Sequence, residues 1–184
     1  MTNQANGHSF SDVYSANVLE LVSIGADFCS LLEQSKLLKA KSVIKQMQTL
    51  LAELYMKGLS FDFSPMDNEM EYEHQVTEED YNLIRNNVAA CLGSYDDYLD
   101  VFLEDMKYSD KPILKTVSED VADIYQDVRN FISAYEGGSE EVMFASLSEV
   151  LNNFRQYWGG RCLSVMRVLH EILYGQEESF SDEE

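Results

Sequence analysis

Apolar positions recur at three- and four-residue steps along most of the chain, the period of a helix with one buried face. Between Val13 and Leu32 they are Tyr14, Val18, Leu21, Val22, Phe28, Cys29 and Leu32. Between Leu37 and Tyr55 they are Leu37, Val43, Ile44, Met47, Leu50, Leu51 and Leu54, with Gly58 as a natural stop. The short connection at Gln34-Ser35 predicts that these two helices form an antiparallel hairpin. Thr77, followed by Glu78, Glu79 and Asp80, is a helix start: the hydroxyl takes an orphan N–H and the acids suit the positive helix end. Tyr81, Ile84, Val88 and Cys91 mark the next buried face.

Beyond a break or kink at Gly93-Ser94, the spacing of Tyr95, Tyr98, Leu99, Phe102 and Met106 continues the helical pattern, up to a turn at Ser109-Asp110-Lys111-Pro112. The cleanest stripe follows a Thr116–Glu119 capping-box spacing: Val117, Val121, Ile124, Val128, Phe131 and Tyr135, closed by Gly137-Gly138. Ser139 opens a helix with Met143, Leu147, Val150, Leu151, Phe154 and Trp158. The Gly159-Gly160 pair is expected to break it before Cys162, Val165, Met166, Leu169, Ile172 and Leu173. No alternating segment is long enough to propose a sheet. The expected fold is all-α, a bundle of six or seven helices with an N-terminal hairpin and a C-terminal bundle. Residues 1–175 form one domain, 59–76 an acidic connector, and 176–184, with five acids, a disordered tail.

Composition narrows the function. With 33 acidic against 13 basic residues the formal charge is −20. Such a chain repels phosphate backbones and anionic membrane surfaces, so no nucleic-acid or membrane partner is expected. No apolar run approaches the ~18 residues of a membrane span, and the N-terminus lacks the basic and apolar regions of a secretory signal. The expected compartment is the cytoplasm. Three scattered cysteines, Cys29, Cys91 and Cys162, fit reduced packing thiols better than disulfides or a zinc cage.

Charge is segregated. The stretch 34–58 holds Lys36, Lys39, Lys41, Lys45 and Lys57 against Glu53 alone, and is expected to relieve repulsion among neighbouring acidic helices. The connector acids Glu69, Glu71 and Glu73, with His74, lack the spacing of a calcium loop and read as solvated charge. On a helix, Asp96, Asp100 and Glu104 would share one exposed face. His170-Glu171 lacks the second histidine of a zinc protease motif, and neither a G-x-S-x-G elbow nor a phosphate loop occurs. No catalytic residue, metal or cofactor is therefore assigned.

The second half, from Thr77 to Gly175, resembles a bacterial family of small, acidic, all-helical proteins of unknown function. The resemblance is carried by Asp123-Ile124-Tyr125-Gln126-Asp127, Asn153-Phe154, Tyr157-Trp158-Gly159 and Leu169-His170. The run Leu50 to Tyr55 extends it into the first half. It implies an all-helical bacterial cytoplasmic protein and supplies no reaction. Within it, Tyr125, Asp127, Trp158, Arg167 and His170 are the candidate binding residues, provided they converge in space. The leading expectation is a non-enzymatic protein–protein interaction module that binds an unidentified protein or itself. The rivals are a small-molecule binder or enzyme with an inter-helical pocket near His170, and an acidic nucleic-acid mimic that captures a basic protein.

Overall fold

The computed structural model describes residues 13–61, 72–100 and 113–175. Among them are five helices and one small hairpin. Helix α1 spans Ala16–Gln34 and α2 spans Ala40–Leu59, joined through a single 3-10 turn at Ser35–Leu37. Helix α3 is Glu78–Leu92; strands β1 (Asp97–Asp100) and β2 (Ile113–Thr116) follow, then α4 (Val117–Gly137). Helix α5 covers 140–174 in two α-helical halves, Glu140–Asn153 and Gly159–Tyr174, joined by a π-helical turn at Phe154–Trp158. The expected all-helical architecture holds broadly, but the helices number five rather than six or seven.

Local chemistry accounts for the ends. Ser15 caps α1 through Val18 N–H. Thr77 and Asp80 form a reciprocal capping box on α3, with Asp80 N–H on Thr77 Oγ1 at 3.1 Å and Thr77 N–H on Asp80 Oδ2 at 3.0 Å. Those bonds to the ionised carboxylate hold the Asp80 carboxyl below its usual range. Gly93 stops α3 in a positive-φ conformation, φ 57°, that a residue with a Cβ rarely adopts. Thr116 caps α4 through Glu119 N–H.

Helix α4 is the centre of the molecule. It packs against α1, α3 and both halves of α5. Its whole predicted stripe is buried, and Ala122, Tyr125 and Ile132 on flanking faces are buried too. Helices α1 and α2 run antiparallel, as their short connection implies. Lys57 near the end of α2 reaches back to Asn17 at 2.9 Å and to Glu20 near the start of α1. Gly58 does not stop α2. It is buried inside the helix, where a Cβ would lie 2.7 Å from the Phe154 ring of α5.

Two expectations are corrected. First, residues 97–100 are a strand, not a continuation of α3. In a helix Asp96 and Asp100 would repel at one-turn spacing. In the hairpin each carboxylate is answered. Asp96 accepts from Ser118 N–H at 2.8 Å and from the Ser118 hydroxyl at 2.7 Å at the start of α4. Asp100 turns inward to Lys115 Nζ at 2.9 Å. The pairing is antiparallel, with Leu99 opposite Leu114. The remainder of the predicted helix, the 109–112 turn, the 176–184 tail and connector residues 62–71 lie outside the described residues.

Second, Gly159-Gly160 does not break the last helix. The chain stays helical from Asn153 (φ −64°, ψ −34°) to Gly159 (φ −62°, ψ −41°), and the register change is absorbed by the π-turn that precedes the glycines. The two glycines differ in role. A Cβ at Gly159 would lie 2.5 Å from the Phe154 carbonyl oxygen and 2.9 Å from its ring, whereas one at Gly160 meets nothing within 4 Å. Gly160→Ala is expected to stabilise the protein by about 0.5–1 kcal/mol through helix propensity. Gly159→Ala is expected to destabilise it by about 1–3 kcal/mol. Thermal melts of the two variants beside the parent check the opposite signs.

Candidate functional site

The five candidate residues do not converge. Tyr125 faces α1, where its hydroxyl donates to Glu33 Oε1 at 2.9 Å with Arg129 beside the same carboxylate. Asp127 faces the first half of α5 and accepts from Asn153 Nδ2 at 3.0 Å. Trp158 is fully buried; its indole N–H donates to the Val150 carbonyl at 3.0 Å, and its ring stands edge-on to Phe154. Arg167 and His170 lie on the exposed side of the second half of α5, His170 with its ring 5.0 Å from Tyr174. A pocket centred on His170 is not formed by these groups.

A different set does converge. Arg161, one turn beyond the π-turn, pairs with Asp120 of α4 and lies 3.2 Å from Asp123 Oδ2. Tyr98 of β1 donates to the other oxygen of Asp120. Tyr81 of α3 donates to Asp123 at 2.9 Å, and Tyr157 of the π-turn to the same carboxylate at 3.1 Å. The Arg161 guanidinium also donates to the Tyr157 hydroxyl at 2.6 Å and lies 4.2 Å from that ring's centre. One cation, two carboxylates and three phenols thus tie α3, β1, α4 and α5 together. Asp120 is almost wholly buried. Burial alone works against the charge on Arg161, but Asp120 and Asp123 outweigh it and hold the guanidinium pKa up. Burial, then the bonds to carboxylates, push the Tyr81 and Tyr98 hydroxyls up, so both act as donors. Within the cluster, Arg161 Nε is buried without a hydrogen-bond partner among the described residues. Periodicity held a signal for this cluster: Asp120 falls within the apolar stripe between Val117 and Val121, a position where a carboxylate needs a partner.

The cluster fixes the hairpin against α5 and so shapes a concave surface beside it. Between β1 and the second half of α5 lies a cavity of about 770 Å³, lined by Tyr98, Leu99, Leu163, Ser164, Arg167 and Val168. Ser164 and Tyr98 both contribute to this lining. Its lining is mainly apolar, and Leu99, Leu163 and the neighbouring Leu114 are about half exposed or more. A larger groove of about 950 Å³ between α3 and α4 is more polar and acidic, with Glu33, Asp80 and Glu136 in its walls.

Two turns further along the same face of α4, the 72–77 segment straps the α4–α5 seam. Asn130 Oδ1 accepts from both Gln75 and Val76 N–H at 2.9 Å, and His74 Nε2 meets Glu149 at 3.0 Å. Burial, reinforced by Glu149 and Asp123, raises the Asp127 carboxyl to about 6, against the pull of Asn153 and His74. A carboxyl whose pKa is higher folded than unfolded contributes stability that is complete below about 4 and lost as pH rises through about 6. Asp127→Asn keeps an acceptor for Asn153. It is expected to raise stability by about 1–2 kcal/mol at pH ~7.5, after discount for partial exposure, and to change little at pH ~4. Urea titrations of both proteins at the two pH values check this.

Among the described residues no group of three or more His, Cys, Asp or Glu is placed to hold a metal ion. The three cysteines are free, and burial pushes all their thiols up, that of Cys162 to about 12. No helix of the described residues is long and apolar enough to cross a membrane. Lys57 is engaged with α1 as described, while Lys36, Lys39, Lys41 and Lys45 are exposed.

The fold and site define a helical bundle with one hairpin clamped against its last helix and a groove along the clamp. The chain belongs to a family described as "Domain of unknown function (DUF5063)", matched over residues 12–175. The match covers most of the chain, and so extends the resemblance well beyond the C-terminal half. Protein BF1032 from Bacteroides fragilis, a crystal structure, is similar at 33% identity over 91% of this chain and 99% of that chain, with a TM-score of 0.79. No curated protein matches.

Proposed function

We propose that this chain is a non-enzymatic interaction module of the bacterial cytoplasm, and that its docking face is the groove between β1 and the second half of α5. The observation that carries the reading is the exposed apolar surface there: Leu99, Leu114 and Leu163 stand about half exposed or more around a mainly apolar cavity, on a chain whose net charge is −20. Apolar patches rimmed by polar groups mark interaction sites on otherwise soluble surfaces. Arginine is among the residues enriched at binding hot spots, and Arg167 stands on the wall of this groove. The scatter of Tyr125, Asp127, Trp158, Arg167 and His170 over separate surroundings supports the same reading over an enzyme built around His170. A small-molecule ligand is the second reading, favoured by a cavity volume within the range of ligand sites.

A photo-crosslinking amino acid placed at Leu99 or Leu163, with Lys41 and Glu53 on α2 as controls, tests the proposal in cells. Protein adducts from the groove positions and not from the controls are expected. Adducts that are absent, or the same from all four positions, would overturn it.

A further inference from the structure

We propose that the groove is occupied by a second copy of the same chain, joined edge to edge through β1 across a two-fold axis. This rests on the reading of the groove as a docking face and names its partner. Three observations carry it.

The first is the strand edge. Among the described residues β1 pairs with β2 alone. It is β1, not β2, that lines the groove, so the side of β1 away from β2, unpaired among the described residues, borders the cavity. An open edge of this kind accepts another strand. Two copies of β1 set antiparallel would form one four-stranded sheet in the order β2-β1-β1-β2. The second is apolar cover: Leu99 on β1 and its cross-strand neighbour Leu114 are exposed beside Leu163 of α5. Leu99 of one copy can be buried against Leu163 and Val168 of the other.

The third observation selects this occupant over a foreign one. The walls carry charges of both signs: Arg167 against Asp97 and Glu171, none of which has an ion pair among the described residues. A basic partner would answer only the acids, and an acidic partner only the arginine. A two-fold axis presents each Arg167 to the acids of the opposite copy, because an isologous interface is complementary to itself. Two chains of −20 repel at long range, so this dimer tightens as salt screens the repulsion. A complex with a basic protein would loosen instead.

Sedimentation equilibrium of the full chain, at low and at high salt, is the test. A dimer at tens of micromolar, tighter at high salt, is expected. Arg167→Glu and Leu99→Lys should each weaken it by roughly 10–30-fold, the range of a hot-spot residue. Both side chains are exposed, and circular dichroism melts that match the parent establish that each variant folds. Mixed isotope-labelled copies carrying the crosslinker at Leu99 should give heavy–light adducts. A monomer at all concentrations, or a dimer indifferent to both substitutions, overturns the proposal. If the chain is monomeric yet the groove crosslinks to another protein in cells, the docking face stands and the homodimer falls. If neither occurs, both fall.

Discussion

Arg161→Met is expected to destabilise the protein by about 3–5 kcal/mol, the range for breaking a buried ion pair from one side. The substituted side chain fills much of the same space, so the loss is electrostatic rather than a matter of volume. Asp120 would keep the hydroxyl of Tyr98 and lose the one cation paired with it among the described residues, while staying buried. Asp123 would keep Tyr81 and Tyr157. Two further results separate this account from general damage. The variant should regain stability as pH falls, because an orphaned buried carboxyl binds a proton more tightly folded than unfolded. The double variant with Asp120→Asn should recover part of the loss at neutral pH, since the amide needs no counter-charge. Urea midpoints for the parent and the two variants between pH ~5 and ~8 check all of these. Uniform loss with neither acid recovery nor rescue would mean that the cluster is not coupled as drawn.

Trp158→Ala is expected to cost about 3–5 kcal/mol. The indole is fully buried at the end of the π-turn, packed edge-on against Phe154, and its N–H donates to the Val150 carbonyl two turns back. Truncation leaves a cavity and removes one of the two donors on that carbonyl, which keeps the Phe154 backbone N–H. Trp158→Phe keeps an aromatic ring but loses the donor and the volume of the second ring, and is expected to cost less than Trp158→Ala, about 1–3 kcal/mol. Since Trp158 is the single tryptophan, far-ultraviolet dichroism rather than fluorescence must follow the melts. With domains of this kind stable by only about 5–15 kcal/mol, either large loss is a substantial fraction of the whole.

Five of the glycines that punctuate the sequence divide in the structure by what surrounds them. Gly93 turns the chain with a positive φ, and Gly138 follows α4. Gly58 and Gly159 sit within helices because the Phe154 ring occupies the place of their missing Cβ atoms, while a Cβ on Gly160 would face open space. A glycine near the end of a periodic run signals either a stop or a close approach, and the run alone does not distinguish the two. The same ambiguity hid the hairpin. Tyr95, Tyr98 and Leu99 fit helical spacing, but a short apolar segment also fits a strand. The repulsion expected between Asp96 and Asp100 on a helix was a readable warning. Their partners, Ser118 and Lys115, lie some 15 to 22 positions further along the chain.

What the amino-acid order determined alone was everything that depends on neighbours within about a turn: the buried stripes, the Thr77 and Thr116 caps, the α1–α2 hairpin and the acidic surface. Periodicity and capping are local interactions, so they can be read along the chain. Tertiary structure decided what depends on residues far apart: the strand at β1, the π-turn that carries α5 past its glycines, the meeting of Arg161 with Asp120 and Asp123, and the groove beside them. Each is a matter of which surfaces come into contact, and a contact between distant segments leaves no period in either one.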